Sequence, residues 1–215
     1  MTSNARRPEA ARIAVFAKAP VPGAVKTRLA PVLGADGAAS LHAGLVRQAL
    51  ASAVRSGVGP VELWCAPDES HEFFAACASQ FGARLRRQQG ADLGERMRHA
   101  FETVLGEGAA LVLIGSDCPA ITPGALAHAA AALRNHDAVI APAEDGGYVL
   151  VGLSRRCEAL FSGVEWGTAA VMAQTRERLA ASRQPWLELP TLWDVDRPED
   201  YARLRREGLL DEVLS

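Results

Sequence analysis

Little in this sequence ties it to nucleic acid, to a membrane or to an oxidising compartment. Its 215 residues carry 23 Lys plus Arg against 25 Asp plus Glu, a formal charge of -2. Binding a phosphate backbone needs a basic excess or a basic stripe, so this balance argues against nucleic-acid and anionic-membrane partners. The arginines at Arg84, Arg86, Arg87, Arg96 and Arg98, and those at Arg203, Arg205 and Arg206, read as solvated faces of a strand and a helix. No uninterrupted apolar stretch reaches the roughly 20 residues that span a bilayer. Cys65, Cys77, Cys118 and Cys157 form no Cys-x-x-Cys pair and no cluster with histidine. That excludes a disulfide framework and a structural zinc site and implies a reducing compartment, the cytoplasm. The polar start, Met1 to Arg12, lacks the apolar run of a signal peptide. Residues 1–11 are expected as a disordered leader and 12–215 as one domain, with no repeat, low-complexity tract or linker inside it.

What is there has the balance of an ordinary globular protein, 49% hydrophobic and 22% charged. Short β-rich runs alternate with longer helical patterns. Strands are predicted at Ile13 to Ala17, Val61 to Cys65, Ala110 to Ile114, Ala138 to Ala141 and Tyr148 to Leu153, with a short segment at Ala83 to Arg87. The run Ala110-Leu111-Val112-Leu113-Ile114 is continuous and apolar, as in a strand covered on both faces. Helices are predicted where Leu41, Leu45 and Ala49 share a face, from Pro67-Asp68-Glu69-Ser70 into Phe73, Phe74 and Cys77, and at Leu93 to Leu105. Others follow at Thr122 to Leu133, where Thr122 caps and Pro123 opens the first turn, at Thr168 to Leu179, and last at Pro198 to Arg206. The class is α/β, three layers around a mostly parallel sheet. In such open sheets ligands bind beyond the carboxyl ends of the strands, where three polar segments of this chain lie: Lys18 to Arg28, Ser116 to Pro119 and Glu144 to Tyr148.

Each segment has a chemical reading beside a plain one. In Lys18-Ala19-Pro20-Val21-Pro22-Gly23-Ala24-Val25-Lys26-Thr27-Arg28, a loop after the first strand offers backbone N–H groups next to two cations, a combination that can hold a di- or triphosphate. It is neither a P-loop nor a Gly-x-Gly-x-x-Gly turn, which disfavours kinases and dehydrogenases; the plain reading is a basic surface loop. Asp117 follows the buried strand and is placed to coordinate Mg²⁺ or Mn²⁺, or else closes a turn or caps the next helix. Its neighbour Cys118 has no histidine partner pattern and reads as a packed residue. In Glu144-Asp145-Gly146-Gly147-Tyr148 the glycines permit close backbone approach to a ligand, and the acids could bind acceptor hydroxyls, act as base or touch the metal; a hairpin turn explains Asp145-Gly146 nearly as well. In Trp193-Asp194-Val195-Asp196-Arg197-Pro198-Glu199-Asp200, alternation sets Asp194 and Asp196 on one side, close enough to share a cation, while Asp196 could also cap the following helix.

With these residues in view the chain resembles a family of transferases of unknown function (DUF2064, also described as rSAM-selenodomain-associated or arsenosugar-type glycosyltransferases) in the nucleotide-diphospho-sugar transferase superfamily. The matching stretches are Phe16-Ala17-Lys18-Ala19-Pro20 with Pro22-Gly23 and Lys26-Thr27-Arg28-Leu29, Gly115-Ser116-Asp117-Cys118-Pro119, Glu144 to Tyr148, and Trp193 to Asp196 with Pro198-Glu199-Asp200. The resemblance implies a GT-A fold with a nucleotide-binding N-terminal half and an acceptor-binding C-terminal half. It implies further that Lys18, Pro22, Gly23, Lys26 and Arg28 contact nucleotide phosphates, that Asp117 and Asp194 or Asp196 hold the metal, and that Gly146, Gly147 and Tyr148 belong to the acceptor side. The chain departs from many such glycosyltransferases in having one carboxylate, Asp117-Cys118-Pro119, where they carry Asp-x-Asp. The stretch from Lys26 through Leu33 also resembles the opening of phospholactate guanylyltransferases, which use a nucleoside triphosphate; the Asp145 to Tyr148 segment does not.

The expected activity is transfer of a sugar from a nucleotide-sugar to a small acceptor, with the metal, Lys26 and Arg28 neutralising the diphosphate leaving group and Asp145 or Glu144 activating the acceptor. Nucleotidyl transfer with release of pyrophosphate is the rival, and a non-catalytic nucleotide sensor a third reading. No residue pattern names the base, the sugar, the acceptor or an oligomeric state.

Overall fold

The computed structural model describes residues 7–214. A seven-stranded sheet runs through it. The strands are β1 (Ala11–Lys18), β2 (Val61–Ala66), β3 (Arg84–Arg87), β4 (Ala110–Gly115), β5 (Ala138–Pro142), β6 (Tyr148–Leu153) and β7 (Trp186–Glu188), in the order β3-β2-β1-β4-β6-β5-β7. β2 and β4 flank β1 in parallel, and β3 pairs parallel with β2. β6 runs against both β4 and β5, while β7 is parallel to β5. The sheet is therefore mostly parallel, as expected, with one reversed strand inserted by the hairpin that Asp145-Gly146 allows. The chain leaves β1 in one direction to build β2 and β3 and returns on the other side for β4. The carboxyl ends of β1 and β4 thus flank the switch point where ligands bind in such sheets.

Among the described residues seven α-helices cover the faces: α1 (Ala30–Arg55), α2 (Glu72–Phe81), α3 (Leu93–Gly106), α4 (Pro123–Ala132), α5 (Val171–Ser182), α6 (Pro198–Arg206) and α7 (Leu210–Leu214). Strand alternation divides the core. Ile13, Val15 and Ala17 join Leu50, Phe74, Val112 and Leu126 on one face, and Ala14 and Phe16 join Trp64, Phe101, Leu113 and Val151 on the other. α4 begins as its sequence indicates, with Thr122 Oγ1 accepting the Ala125 N–H at 3.1 Å. Near the start of β2, fully buried Glu62 accepts from Trp64 Nε1 (3.0 Å), Arg12 (3.1 Å) and Arg86 (3.2 Å), which satisfies a carboxylate that would otherwise be costly to bury.

Some boundaries differ from expectation. Of the expected leader, residues 1–6 lie outside the described residues, whereas Arg7 pairs with Asp137 (2.8 Å) and Ala11 already opens β1. α5 starts at Val171 rather than Thr168 because the Thr168 hydroxyl donates to the Glu165 carbonyl (2.8 Å) and accepts the Ala170 N–H (3.2 Å), a local turn that competes with helix. β7 and α7 are too short, at 3 and 5 residues, to show a period. α1, kinked at Gly34 (φ 71°), is long and apolar enough by composition to cross a bilayer, but its buried residues pack in the core. α7 closes on it at Gly44, where a Cβ would stand 2.0 Å from the Val213 carbonyl oxygen. Gly44→Ala should therefore lower stability by about 1 kcal/mol in urea unfolding, because displacing α7 outweighs the roughly 1 kcal/mol gained in helix propensity.

Candidate functional site

The β1–α1 loop folds back over the end of β4. Lys26 adopts left-handed backbone angles (φ 48°, ψ 38°), unusual for a residue with a side chain and worth about 1 kcal/mol of strain. What holds it there is its ammonium, 4% exposed, which donates to the Val195 carbonyl at 2.6 Å and stands 3.0 Å from Asp117 Oδ1. Pro22 and Gly23 form the exposed tip of the loop and line neither half of the cleft described below. Arg28 reaches the Asp196 carboxylate. Asp196 therefore does not cap α6; that task falls to Asp200, whose carboxylate accepts the N–H groups of Asp196 (3.1 Å) and Arg197 (2.7 Å).

Asp117 leaves β4 at the centre of a cleft in two halves. One, about 570 Å³, is lined by Lys18, Lys26, Arg28, His42, Gln88 and Arg96 among others. The other, about 350 Å³, includes Asp145, Gly147, Tyr148, Trp166, Thr168 and Asp194. Asp117 and Arg28 line both. The halves are opposite in character, the first basic and the second acidic and aromatic. Asp194 and Asp196 are placed one in each half rather than together, since Asp196 lines the basic side beside Arg28.

The charges are coupled. Desolvation at the strand end opposes ionisation of Asp117, but Lys26, backed by His42 and the Ser116 hydroxyl, outweighs it and holds the carboxyl below its ordinary range. Asp194 goes the other way: burial, then the charges of Asp145 and Asp117, push it up to about 6. Three carboxylates facing one half of a cleft at mutual cost fit a hard cation with oxygen ligands. Among the described residues no three His, Cys, Asp or Glu side chains converge into a complete cage. Mg²⁺ and Mn²⁺ sites of this kind take one or two carboxylates and fill the rest of the shell with phosphate and water, so the residues fit such an ion when a nucleotide accompanies it.

The Glu144–Tyr148 segment is both hairpin turn and cleft wall. Gly146 needs its φ of 90° for the turn, and a Cβ there would lie 2.4 Å from the Ala169 carbonyl oxygen. Its missing side chain thus serves the packing of the segment before α5. Asp145 accepts the Gly147 N–H at 2.9 Å and faces the acidic half. Glu144 points elsewhere, to Arg203 of α6 at 3.0 Å, whose guanidinium lies 4.3 Å from the Trp193 ring centre. The Tyr148 phenol is pushed far up by burial and stays neutral. Cys118, buried and pushed up to about 12 by desolvation, is a packed residue and no nucleophile.

Three cleft residues carried no signal of their own in the sequence. His42 on α1 is buried, donates from Nε2 to the Lys18 carbonyl (2.9 Å) and turns Nδ1 toward Asp117 (3.9 Å). Burial lowers its pKa although Asp117 opposes this, so the ring is neutral at pH 7. Gln88 donates to the Trp64 (2.8 Å) and Ala17 (3.3 Å) carbonyls after β3. Trp166 stands in an irregular segment with no period. Arg96, expected on a solvated face, lines the basic half and donates to the Gly90 carbonyl (3.1 Å).

Known proteins share this fold. A family profile described as an uncharacterised protein conserved in bacteria (DUF2064) matches residues 46–168. A crystal structure from Desulfovibrio desulfuricans G20, assigned as a candidate nucleotide-diphospho-sugar transferase, is 32% identical with a TM-score of 0.81, covering 94% of this chain and 97% of that one. A cytidylyltransferase from Leptospira borgpetersenii is 16% identical with a TM-score of 0.60, covering 91% and 84%. Glucosyl-3-phosphoglycerate synthase from Mycobacterium tuberculosis, in complex with Mn²⁺, UDP and glucosyl-3-phosphoglycerate, is 12% identical with a TM-score of 0.53, covering 95% and 78%. The last two show a shared fold. No curated protein matches the sequence.

Proposed function

Because the chain belongs to the DUF2064 family and has the fold of the nucleotide-diphospho-sugar transferases, we propose that it is a nucleotide-using transferase that moves a sugar from a nucleotide-diphospho-sugar to a small acceptor. The observation that carries this reading is the Lys26–Asp117 pair at the switch point, with a basic half of the cleft on one side and an acidic, aromatic half on the other. The donor diphosphate belongs with Lys26 and Arg28, and the reacting centre lies at Asp117. Asp117 and Asp194 would hold Mg²⁺ or Mn²⁺, which when bound supplies positive charge to the diphosphate as it departs.

The protein's own groups then have distinct tasks. Lys26 is fixed by two partners, so its charge reaches the phosphates without reorganisation. Neutral His42 leaves the negative charge of Asp117 in place for a cation. Asp145, on a turn at the acidic half, orients or deprotonates the acceptor hydroxyl. Glu144 keeps that turn on α6 through Arg203 rather than meeting substrate.

The test is thermal stability across nucleoside triphosphates, diphosphates and nucleotide-sugars, with and without Mg²⁺ or Mn²⁺, since ligands of the folded state raise the melting temperature. Metal-dependent stabilisation greatest for one nucleotide-sugar, followed by nucleoside diphosphate among the products, is the expected result. Greatest stabilisation by a triphosphate with release of pyrophosphate would establish nucleotidyl transfer instead. Silence across the whole panel would remove the site assignment.

A further inference from the structure

The acceptor's chemical class follows from the acidic half of the cleft, an inference that rests on the transferase reading. Asp117, Asp145 and Asp194 line that half, and Arg28 is the one basic residue among its described lining residues. In the transferase reading Arg28 and Lys26 serve the donor diphosphate, so with the donor bound neither is left for a charged acceptor. Even with a divalent cation on Asp117 and Asp194, the three carboxylates leave this half net negative toward an entering phosphate or carboxylate. Repulsion of this kind is a device for rejecting wrong partners.

The same half offers an aromatic surface. The Trp166 indole rests on the first turn of α3 at Gly94, where a Cβ would lie 2.1 Å from Nε1 and 2.4 Å from Cε2. Tyr148 meets it edge-on, with ring centres 6.3 Å apart and planes at 89°. The segment that carries Trp166 is tied to α5 by the Glu165 N–H donating to Gln174 Oε1 (2.9 Å). A partly exposed indole held by two elements and lining the same cavity as three carboxylates suits a ring with one apolar face and a hydroxylated edge.

We infer that the acceptor is an uncharged polyhydroxylated molecule whose ring stacks on Trp166, and that phosphorylated or carboxylated acceptors are rejected by the carboxylates of this half. Asp145 supplies the hydroxyl-binding group and Trp166 the platform. Selection then works by two independent means, attraction for a ring face and repulsion of negative charge.

The test is calorimetric titration of the full chain with matched probes, methyl α-glucoside against glucose 6-phosphate and myo-inositol against inositol 1-phosphate. It is run with Mn²⁺ and the nucleotide that ranks first in the thermal panel. The neutral member of each pair should bind about tenfold more tightly or better. Trp166→Ala should remove at least tenfold of that affinity and Trp166→Phe should restore most of it, while both variants keep the nucleotide-dependent thermal shift that proves them folded. Equal response within the pairs, including none, or tighter binding of the phosphates would overturn the inference, as would unchanged affinity in Trp166→Ala. Because the thermal shift is read on the same samples, a shift without pair preference defeats this inference alone. Pair preference without any nucleotide shift defeats the transferase reading.

Discussion

Asp117→Asn should reduce turnover by about 100-fold or more and abolish the metal-dependent part of nucleotide stabilisation. The substitution keeps the shape of the side chain and removes its charge at the point where β4 delivers it between the two halves of the cleft. It also unbalances Lys26, whose buried ammonium would keep the Val195 carbonyl at 2.6 Å but lose its counter-charge at 3.0 Å. Leaving a buried cation without its partner costs stability as well, about 2 kcal/mol. The two losses can be read separately. Activity reports the first, and urea unfolding of the ligand-free protein reports the second. Full turnover in Asp117→Asn would show that the cation is held elsewhere or is not used.

Asp194→Asn should do the reverse to stability while still impairing function. Its carboxyl, pushed up to about 6 from an ordinary 3.8, binds a proton in the folded protein that the unfolded chain has already lost. Stability from this group is therefore fully present below pH 4 and falls as pH rises through 6. At pH 7 the ionised form is desolvated by burial and repelled by Asp145 and Asp117, and after screening the penalty is about 1 kcal/mol. The amide carries no such penalty. Asp194→Asn should raise the melting temperature of the ligand-free protein at pH 7.5 and make little difference at pH 4. It should also weaken metal-dependent nucleotide binding about tenfold or more. Destabilisation at pH 7.5 would show that Asp194 is held by hydrogen bonds and not strained by burial and its neighbours. The opposite signs of stability and binding are what mark a group kept for a ligand instead of for the fold.

Period, composition and turn residues made most of the frame legible. The apolar run at Ala110 to Ile114 is β4 because a strand covered on both faces must be apolar throughout, and Thr122-Pro123 starts α4 because capping is a local interaction. The same holds for the loops that carry Lys26, Asp117 and Asp145 after β1, β4 and β5, since a sheet with helices on both faces has nowhere else to put polar loops. Local signals also set their own limit. The three-residue β7 exists because the edge of β5 pairs with it, and α7 because Gly44 leaves room for Val213.

Which of the acidic residues face one another was decided only by the tertiary structure. Asp194 and Asp196 are two apart in an extended segment, yet Arg28, far away in the chain, draws Asp196 to the basic side of the cleft. Glu144 and Asp145 are neighbours, yet Arg203 takes the first and the cleft the second. His42, Gln88 and Trp166 entered the site with no local pattern at all, because the first two are placed by the carbonyls of Lys18, Ala17 and Trp64 and the third by Gly94 and the Tyr148 ring. The residue types of the site follow from chemistry that each carries along the chain. Their pairing depends on charges and carbonyls that only folding brings within 4 Å, where electrostatic interaction is strong enough to choose between neighbours.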